Sequence, residues 1–515
     1  MTTAMSERIA QVEPMQARID SATIELALVS HTNTGKTTLA RTLLGRDVGE
    51  VRDAPHVTEI VERHLLLESA AGDRLDLADT PGFGDSARLV RRLSGADSPV
   101  GWLLREVWDR YRDRPLWCNQ QAVRAARESA DVLLYLANAA ESPRDAGYVA
   151  SEMQVLRWIG KPVLVLLNQV GPPRPAAEER AEVELWRSYL ATFGVVDNVL
   201  ALDAFARCWV QERVLLDAVA PLVPQEKRAA FARLVSAWQV RSTSRFEASM
   251  HELAAELARA ARDTELLTTS PSTMQKVLRT FGATREGTDP ERLRAMAELA
   301  NRLDAAIRSG TDQLISLHGL GGAAAATVLQ RLHDNFSSRE GVSEGRAALW
   351  GSVLTGALTG LKADLAAGGL SFGAGMLVGG VIGGFAGAGV ARGINTIRGS
   401  GAPSVQWSEP FLDGLVRSAL LRYLAVAHYG RGRGDYLEGE APAFWQEEVK
   451  QATSAETETL HTLWDAARSQ LDSTPEDDPV VEDLARTLSR ITLELLDRLY
   501  PDHPPHPITG HPDAR

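Results

Sequence analysis

SHTNTGKTT, Ser30 to Thr38, follows the apolar run IELALV (24–29) and leads straight into the helical pattern TTLARTLLG. A strand that ends in a Gly-Lys-Thr loop and then opens a helix is the setting in which backbone N–H groups converge on phosphate oxygens. In that reading Gly35 permits close backbone approach, Lys36 bridges the terminal phosphates and the Thr37 hydroxyl binds Mg2+. Thr34 and Thr38 flank these groups and share the phosphate contacts. The competing reading is a chance Gly-Lys-Thr in an ordinary turn. The full phosphate-loop pattern has glycine at position 30, where this chain has Ser30. Serine lacks glycine's access to positive φ, so the loop requires its first residue to keep an ordinary backbone conformation.

Support comes from downstream. RLDLADTPGFGD (74–85) ends a strand on Asp79-Thr80-Pro81-Gly82. There a carboxylate can hold Mg2+ through water while the Gly82 N–H meets a γ-phosphate. Between the two motifs lies Thr58, in APHVTEIV, at a spacing that suits a switch loop closing on the metal; a plain surface threonine would look the same.

The first 220 or so residues alternate strand-like runs with helical stretches: IELALV, HLLLES (64–69), DRLDLADT (73–80), DVLLYLA (131–137), KPVLVLLN (161–168) and NVLALDA (198–204). This alternation predicts an α/β fold with a mixed, mostly parallel sheet. HLLLES and RLDLADT are separated by AAGD, which predicts a hairpin with one antiparallel edge strand. From Pro221 the patterns turn to long helical periods such as PERLRAMAELANRLDAAI, and no comparable strand appears in 225–340. The expected organisation is an N-terminal extension (1–21), a nucleotide domain (22–220), a mainly α-helical domain (221–500) and a Pro- and His-rich disordered tail (501–515).

SHTNTGKTT, Thr58, DTPG and the strand-terminal LLNQVG together resemble the G1 to G4 elements of the translation-factor-related small GTPases of the Era and TrmE type. The resemblance covers residues 22–220 and implies an Era-like P-loop domain that binds GTP and GDP with Mg2+. The rest is similar to a helical C-terminal domain of unknown function carried behind such a GTPase in a bacterial family. Asn33 matches the asparagine that coordinates K+ beside the phosphates in the TrmE type, where a monovalent cation supplies positive charge as an arginine finger does. A loop-capping amide is the other reading of Asn33. Phe83 stands where Ras-like enzymes place a water-orienting glutamine and cannot take that part. The resemblance thus implies Lys36, Asn33, Thr58 and Gly82 as the groups acting on the phosphates, with Thr37, Thr58 and Asp79 around Mg2+.

The base-recognition element departs from the family. Asn-Lys-x-Asp becomes Asn168-Gln169-Val170-Gly171. Asn168 can still face the purine edge and the Gln169 stem can cover the base, but Gly171 supplies no carboxylate for the guanine N1 and N2 protons. Losing that charge-assisted pair costs on the order of 1.5–3 kcal/mol of discrimination, roughly ten- to a hundredfold. Asp203 and Ala204 match the opening of the family's SAK element, and the Asp203 carboxylate either takes part of that role or is an ordinary loop-end aspartate. GTP is the expected ligand, with ATP left open.

Residues 365–391 carry no charge, and Gly375, Gly379, Gly383 and Gly387 repeat every fourth position. That length can span a bilayer as a helix, and the glycine face allows close helix contact. Each interior glycine costs a helix roughly 1 kcal/mol against alanine, so either lipid or a crowded helical core has to compensate. The wider segment 347–391 is therefore a candidate contact for a membrane or membrane protein, or a buried glycine-packed hairpin.

A net charge of −12 argues against broad nucleic-acid binding. Cys118 and Cys208 form no disulfide framework, and the N-terminus has no apolar h-region. The expected location is the cytoplasm, peripheral or integral at the inner membrane if 347–391 meets lipid. His503, His506 and His511 read as a solvated tail. Three functional classes follow: a GTP-hydrolysing switch, a membrane-tethering or remodelling GTPase, and a nucleotide-binding scaffold with little turnover. A nucleotide-dependent homodimer would suit a GTPase that lacks its own water-positioning glutamine.

Overall fold

The computed structural model describes residues 21–45, 61–94, 114–170, 176–202, 204, 208–267, 290–320, 394–397, 404–429, 443–469 and 478–501. Thr58, Gly171, Asp203, the glycine-rich segment 347–391 and the three tail histidines lie outside these residues.

The N-terminal part is built on six strands: β1 (Thr23–Ser30), β2 (Glu62–Glu68), β3 (Arg74–Asp79), β4 (Val132–Asn138), β5 (Val163–Asn168) and β6 (Asn198–Ala201). Their order in the sheet is β2-β3-β1-β4-β5-β6. All pairs are parallel except β2–β3, the edge hairpin expected from the sequence. Gly72, at φ 82, makes its turn. β1, β4 and β5 are buried almost throughout, as strands covered on both faces must be.

Helices α1 (Lys36–Leu44), α2 (Ser86–Ser94), α3 (Arg114–Ser129), α4 (Val149–Ile159), α5 (Ala176–Ala191) and α6 (Trp209–Val219) wrap the sheet. One apolar layer joins Val29, Tyr135, Val165 and Met153. The opposite layer joins Leu28, Leu134 and Leu166 to Leu215, Phe231 and Trp238.

Phe231 and Trp238 belong to α7 (Arg228–Arg262), a continuous helix about 52 Å long. Its first turns close the lower layer of the sheet, while Phe246, Met250, Leu253 and Leu257 enter a separate helical core. Two ion pairs tie its start to the sheet. Arg233 grips the buried Asp73 carboxylate through Nε and Nη2, both at 2.7 Å, and Lys227 Nζ lies 2.8 Å from both Asp131 oxygens. The Arg233 guanidinium holds the Asp73 carboxyl well below the usual carboxylate range.

The second core is completed by α8 (Pro290–Leu317), α9 (Glu409–Ala427), α10 (Ala443–Ser454), α11 (Thr457–Ser469) and α12 (Pro479–Leu499). A small antiparallel sheet adds to it, β7 (Thr264–Leu266), β9 (Ser404–Trp407) and β8 (Ile394–Ile397), in the order β7-β9-β8. The sequence shows no strand at 264–266 because three residues carry no periodicity; the pairing of Thr264 with Gln406 makes the strand. Among the described residues no helix is long and apolar enough to cross a membrane.

Candidate functional site

The site lies at the carboxyl ends of β1, β3 and β5, the usual ligand edge of an open α/β sheet. Ser30 is the last residue of β1, so the missing glycine costs nothing there: an extended residue needs no positive φ. The left-handed positions fall further along, at Asn33 (φ 64) and Gly35 (φ 89), residue types that accept them. A Cβ on Gly35 would come within 2.7 Å of Asn168 Nδ2, so glycine is required twice over.

Within the loop the Ser30 and Thr34 hydroxyls lie side by side. Lys36 Nζ donates to Ser30 Oγ at 2.9 Å and reaches the His31 carbonyl at 3.4 Å. Burial pushes the Lys36 ammonium down from its ordinary pKa, and the charges of Asp79 and Glu152 oppose that shift.

From the far side Thr37 Oγ1 donates to Asp79 Oδ2 at 2.5 Å. Burial pushes the Asp79 carboxyl up, while Lys36 and the Thr37 hydroxyl pull it back. The other oxygen, Asp79 Oδ1, is buried and has no hydrogen-bond partner among the described residues. An unspent carboxylate oxygen beside a threonine hydroxyl is a hard donor set, and it fits Mg2+. No cluster of three or more His, Cys, Asp or Glu side chains suited to a metal occurs among the described residues. Gly82 closes the pocket: a Cβ there would stand 3.0 Å from the Thr32 Cα and 3.2 Å from Lys36 Nζ.

Lys36, Thr37, Asp79 and Gly82 therefore meet in one place, with Thr34 and Thr38 buried beside them and Asn33 exposed at the rim. Phe83 is fully buried, and its N–H donates to the Ser30 carbonyl at 2.9 Å; its ring belongs to the core. Asn168 is fully buried with both polar atoms engaged. Nδ2 donates to the Thr34 carbonyl at 2.7 Å and Oδ1 accepts from the Ala204 N–H at 2.8 Å. Gln169 follows in a left-handed conformation, φ 61, and Thr42 Oγ1 donates to the Ala204 carbonyl at 2.7 Å.

Sequence reasoning passed over His31, Tyr135, Tyr148 and Glu152, which form a polar cluster against the loop. One signal was present. Glu152 shares the helical face of Val149, Met153 and Leu156, where an acid has to find buried partners.

A family model described as a 50S ribosome-binding GTPase matches residues 25–169, and one described as a domain of unknown function (DUF3482) matches residues 188–488. The chain is 27% identical over 162 residues to a GTPase Der of Deinococcus deserti, spanning 32% of this chain and 29% of that relative's length. Among solved structures it is similar to an Aquifex aeolicus Era bound to GDP and aluminium fluoride, at 15% identity and TM-score 0.30, covering 56% of this chain and 89% of that one. A bacterial dynamin pair described as sensing and tethering membranes gives 11% identity and TM-score 0.24, covering 95% and 70%. At these scores the structural likenesses add no argument to the family matches, which span more than half of the chain. The chain belongs to the DUF3482 family, with an Era-like P-loop GTPase domain in front of that family's helical domain of unknown function.

Proposed function

We propose that the chain is a GTP-binding and GTP-hydrolysing switch, with residues 22–220 as its nucleotide domain and 221–500 as the part that carries the nucleotide state outward. The observation that carries this reading is the meeting of Lys36, Thr37, Asp79 and Gly82, with one Asp79 oxygen left unspent. Thr37 directly, Asp79 through water, and Thr58 from outside the described residues would hold Mg2+. Bound there, the ion would supply charge neutralisation across the β- and γ-phosphates. Lys36 exchanges Ser30 Oγ for phosphate oxygens, and the Gly82 N–H turns to the γ-phosphate. Buried Phe83 orients no water; separately, a K+ ion held by Asn33 would supply positive charge where negative charge develops.

Coupling has a physical route. α1 begins at the phosphate site with Lys36 and is capped by Gly45, which lies against the turn after α8: a Cβ on Gly319 would lie 3.8 Å from the Gly45 carbonyl. Thr42, Gly45, Trp209, Phe246, His318 and Tyr423 line a small cavity at this joint. Trp209 Nε1 donates to the Tyr423 hydroxyl at 3.3 Å across it. A shift of α1 on γ-phosphate release therefore reaches the helical core through packed contacts.

Phosphate release from GTP and from ATP, in K+ and in Na+, tests this for the native chain and a Lys36→Ala variant. Expected are turnover of GTP over ATP, acceleration by K+ and loss of turnover in the variant. Equal turnover of GTP and ATP removes the guanine preference, and equal rates in both salts remove the Asn33 role. Nucleotide binding without turnover in any salt makes the protein a scaffold. Lipid contact through 347–391 is a further part of the reading, tested by flotation with vesicles in the GTP and GDP states.

A further inference from the structure

A carboxylate that belongs to neither the nucleotide nor the metal contacts lies under the phosphate loop. Glu152, on α4, is fully buried. Its Oε2 accepts from the Tyr135 hydroxyl at 2.6 Å, and its Oε1 lies 2.9 Å from His31 Nδ1. An ionised carboxylate only accepts, so the Nδ1 proton sits on the imidazole. Burial and the Glu152 charge push the Tyr135 phenol far up, which keeps it a donor. On its other side the His31 ring stacks on Tyr148, centroids 4.2 Å apart and planes 17° from parallel.

The backbone of the same histidine is the hub of the loop. The His31 carbonyl accepts from Ser30 Oγ at 2.6 Å and from Thr34 Oγ1 at 3.0 Å, with Lys36 Nζ at 3.4 Å. Holding the imidazole holds the peptide on which these three donors converge.

We propose that Tyr135, Glu152 and His31 form a positioning chain for the phosphate loop: the phenol orients the carboxylate, the carboxylate orients the imidazole, and the imidazole fixes the loop's second residue in the shape that receives phosphates. The inference rests on the reading of this loop as the GTP site. It makes His31 and Glu152 positioning residues that touch no substrate. The charge of Glu152 has a second effect, since it favours the protonated form of Lys36 against burial.

The test uses the full chain as native protein and as His31→Ala, Glu152→Ala and Glu152→Gln. Amide hydrogen exchange of the loop without nucleotide is read beside GTP affinity, KM, kcat and melting temperature. Faster exchange over residues 30–36 is expected in His31→Ala and Glu152→Ala. GTP affinity falls and KM rises by about tenfold, while kcat stays within about twofold. Glu152→Gln still accepts from Tyr135 and can meet the other imidazole tautomer, so it restores most of the affinity. His31 is partly exposed, so its variant keeps the test informative should Glu152→Ala fold poorly. Unchanged loop exchange in His31→Ala at an unchanged melting temperature overturns the proposal. Failure of the native chain to bind GTP would instead remove the functional reading, and the exchange measurement would still decide the positioning role.

Discussion

Asn168 and Thr34 are joined across the site: the asparagine at the end of β5 donates from Nδ2 to the carbonyl of the loop residue at 2.7 Å, in full burial. The same side chain accepts from the Ala204 N–H at 2.8 Å, so one amide braces two loops. Replacing it by alanine leaves a buried carbonyl and a buried N–H without partners, at about 1–3 kcal/mol each. Asn168→Ala is expected to melt earlier and to bind GTP more weakly. Asn168→Asp fares no better, because a carboxylate offers no donor to Thr34. Melting curves and nucleotide titration check both.

Two glycines with similar backbone angles should respond differently to alanine. Gly35 has φ 89 and a Cβ position 2.7 Å from Asn168 Nδ2, so Gly35→Ala displaces the brace and suppresses nucleotide binding. Gly160, the cap of α4, has φ 71 and only one atom, at 4.0 Å, near its Cβ position. Gly160→Ala should cost about 1–2 kcal/mol of stability and leave the affinity for GTP as it was. Paired binding and unfolding measurements separate the two.

In the helical core Arg422 meets Glu256 with both side chains buried, and its Nη1 also donates to the Ile307 carbonyl at 3.0 Å. Arg422→Ala strands a buried carboxylate and should destabilise the protein by about 3–5 kcal/mol. Replacing both residues, as Glu256→Gln with Arg422→Met, should recover much of that loss. Denaturant unfolding of the two variants gives the comparison; a single substitution as mild as the double one contradicts it.

Acid should weaken the helical core through His428. Burial pushes its pKa down to about 4. Its Nδ1–H donates to the Leu424 carbonyl at 2.7 Å, and Nε2 accepts from the Tyr500 hydroxyl at 2.8 Å. The unfolded chain takes up this proton below about pH 6.5, whereas the folded chain resists until about 4, so stability is full above that window and is lost as pH falls through it. The difference amounts to about 3 kcal/mol. Melting temperature against pH should fall more steeply for the native chain than for His428→Phe between those limits, and parallel curves would refute the assignment.

The phosphate loop was legible from its residues because backbone demands leave marks: a glycine at φ 89, a lysine, a hydroxyl and a distant Asp-Thr-Pro-Gly that tertiary folding brings onto them. The edge hairpin was legible for the same reason, through Gly72. What escaped depended on contacts between distant residues. His31 finds Glu152, 121 positions away, and no local pattern announces that pairing. The place of Asn168 in its motif suggests a base contact, but its bonds to Thr34 and Ala204 appear only when three loops come together. The β7 strand was invisible because pairing, not propensity, makes it.

The central claim is that the loop from Ser30 to Thr38 holds the phosphates of GTP with Mg2+. Calorimetric titration of Mg-GTP into the native chain and into Lys36→Ala tests it most directly. The account predicts saturable binding with one site by the native chain, weakened at least about a hundredfold by the loss of the buried ammonium. Equal binding by the two proteins, or no heat from the native chain at any nucleotide concentration tried, would contradict it.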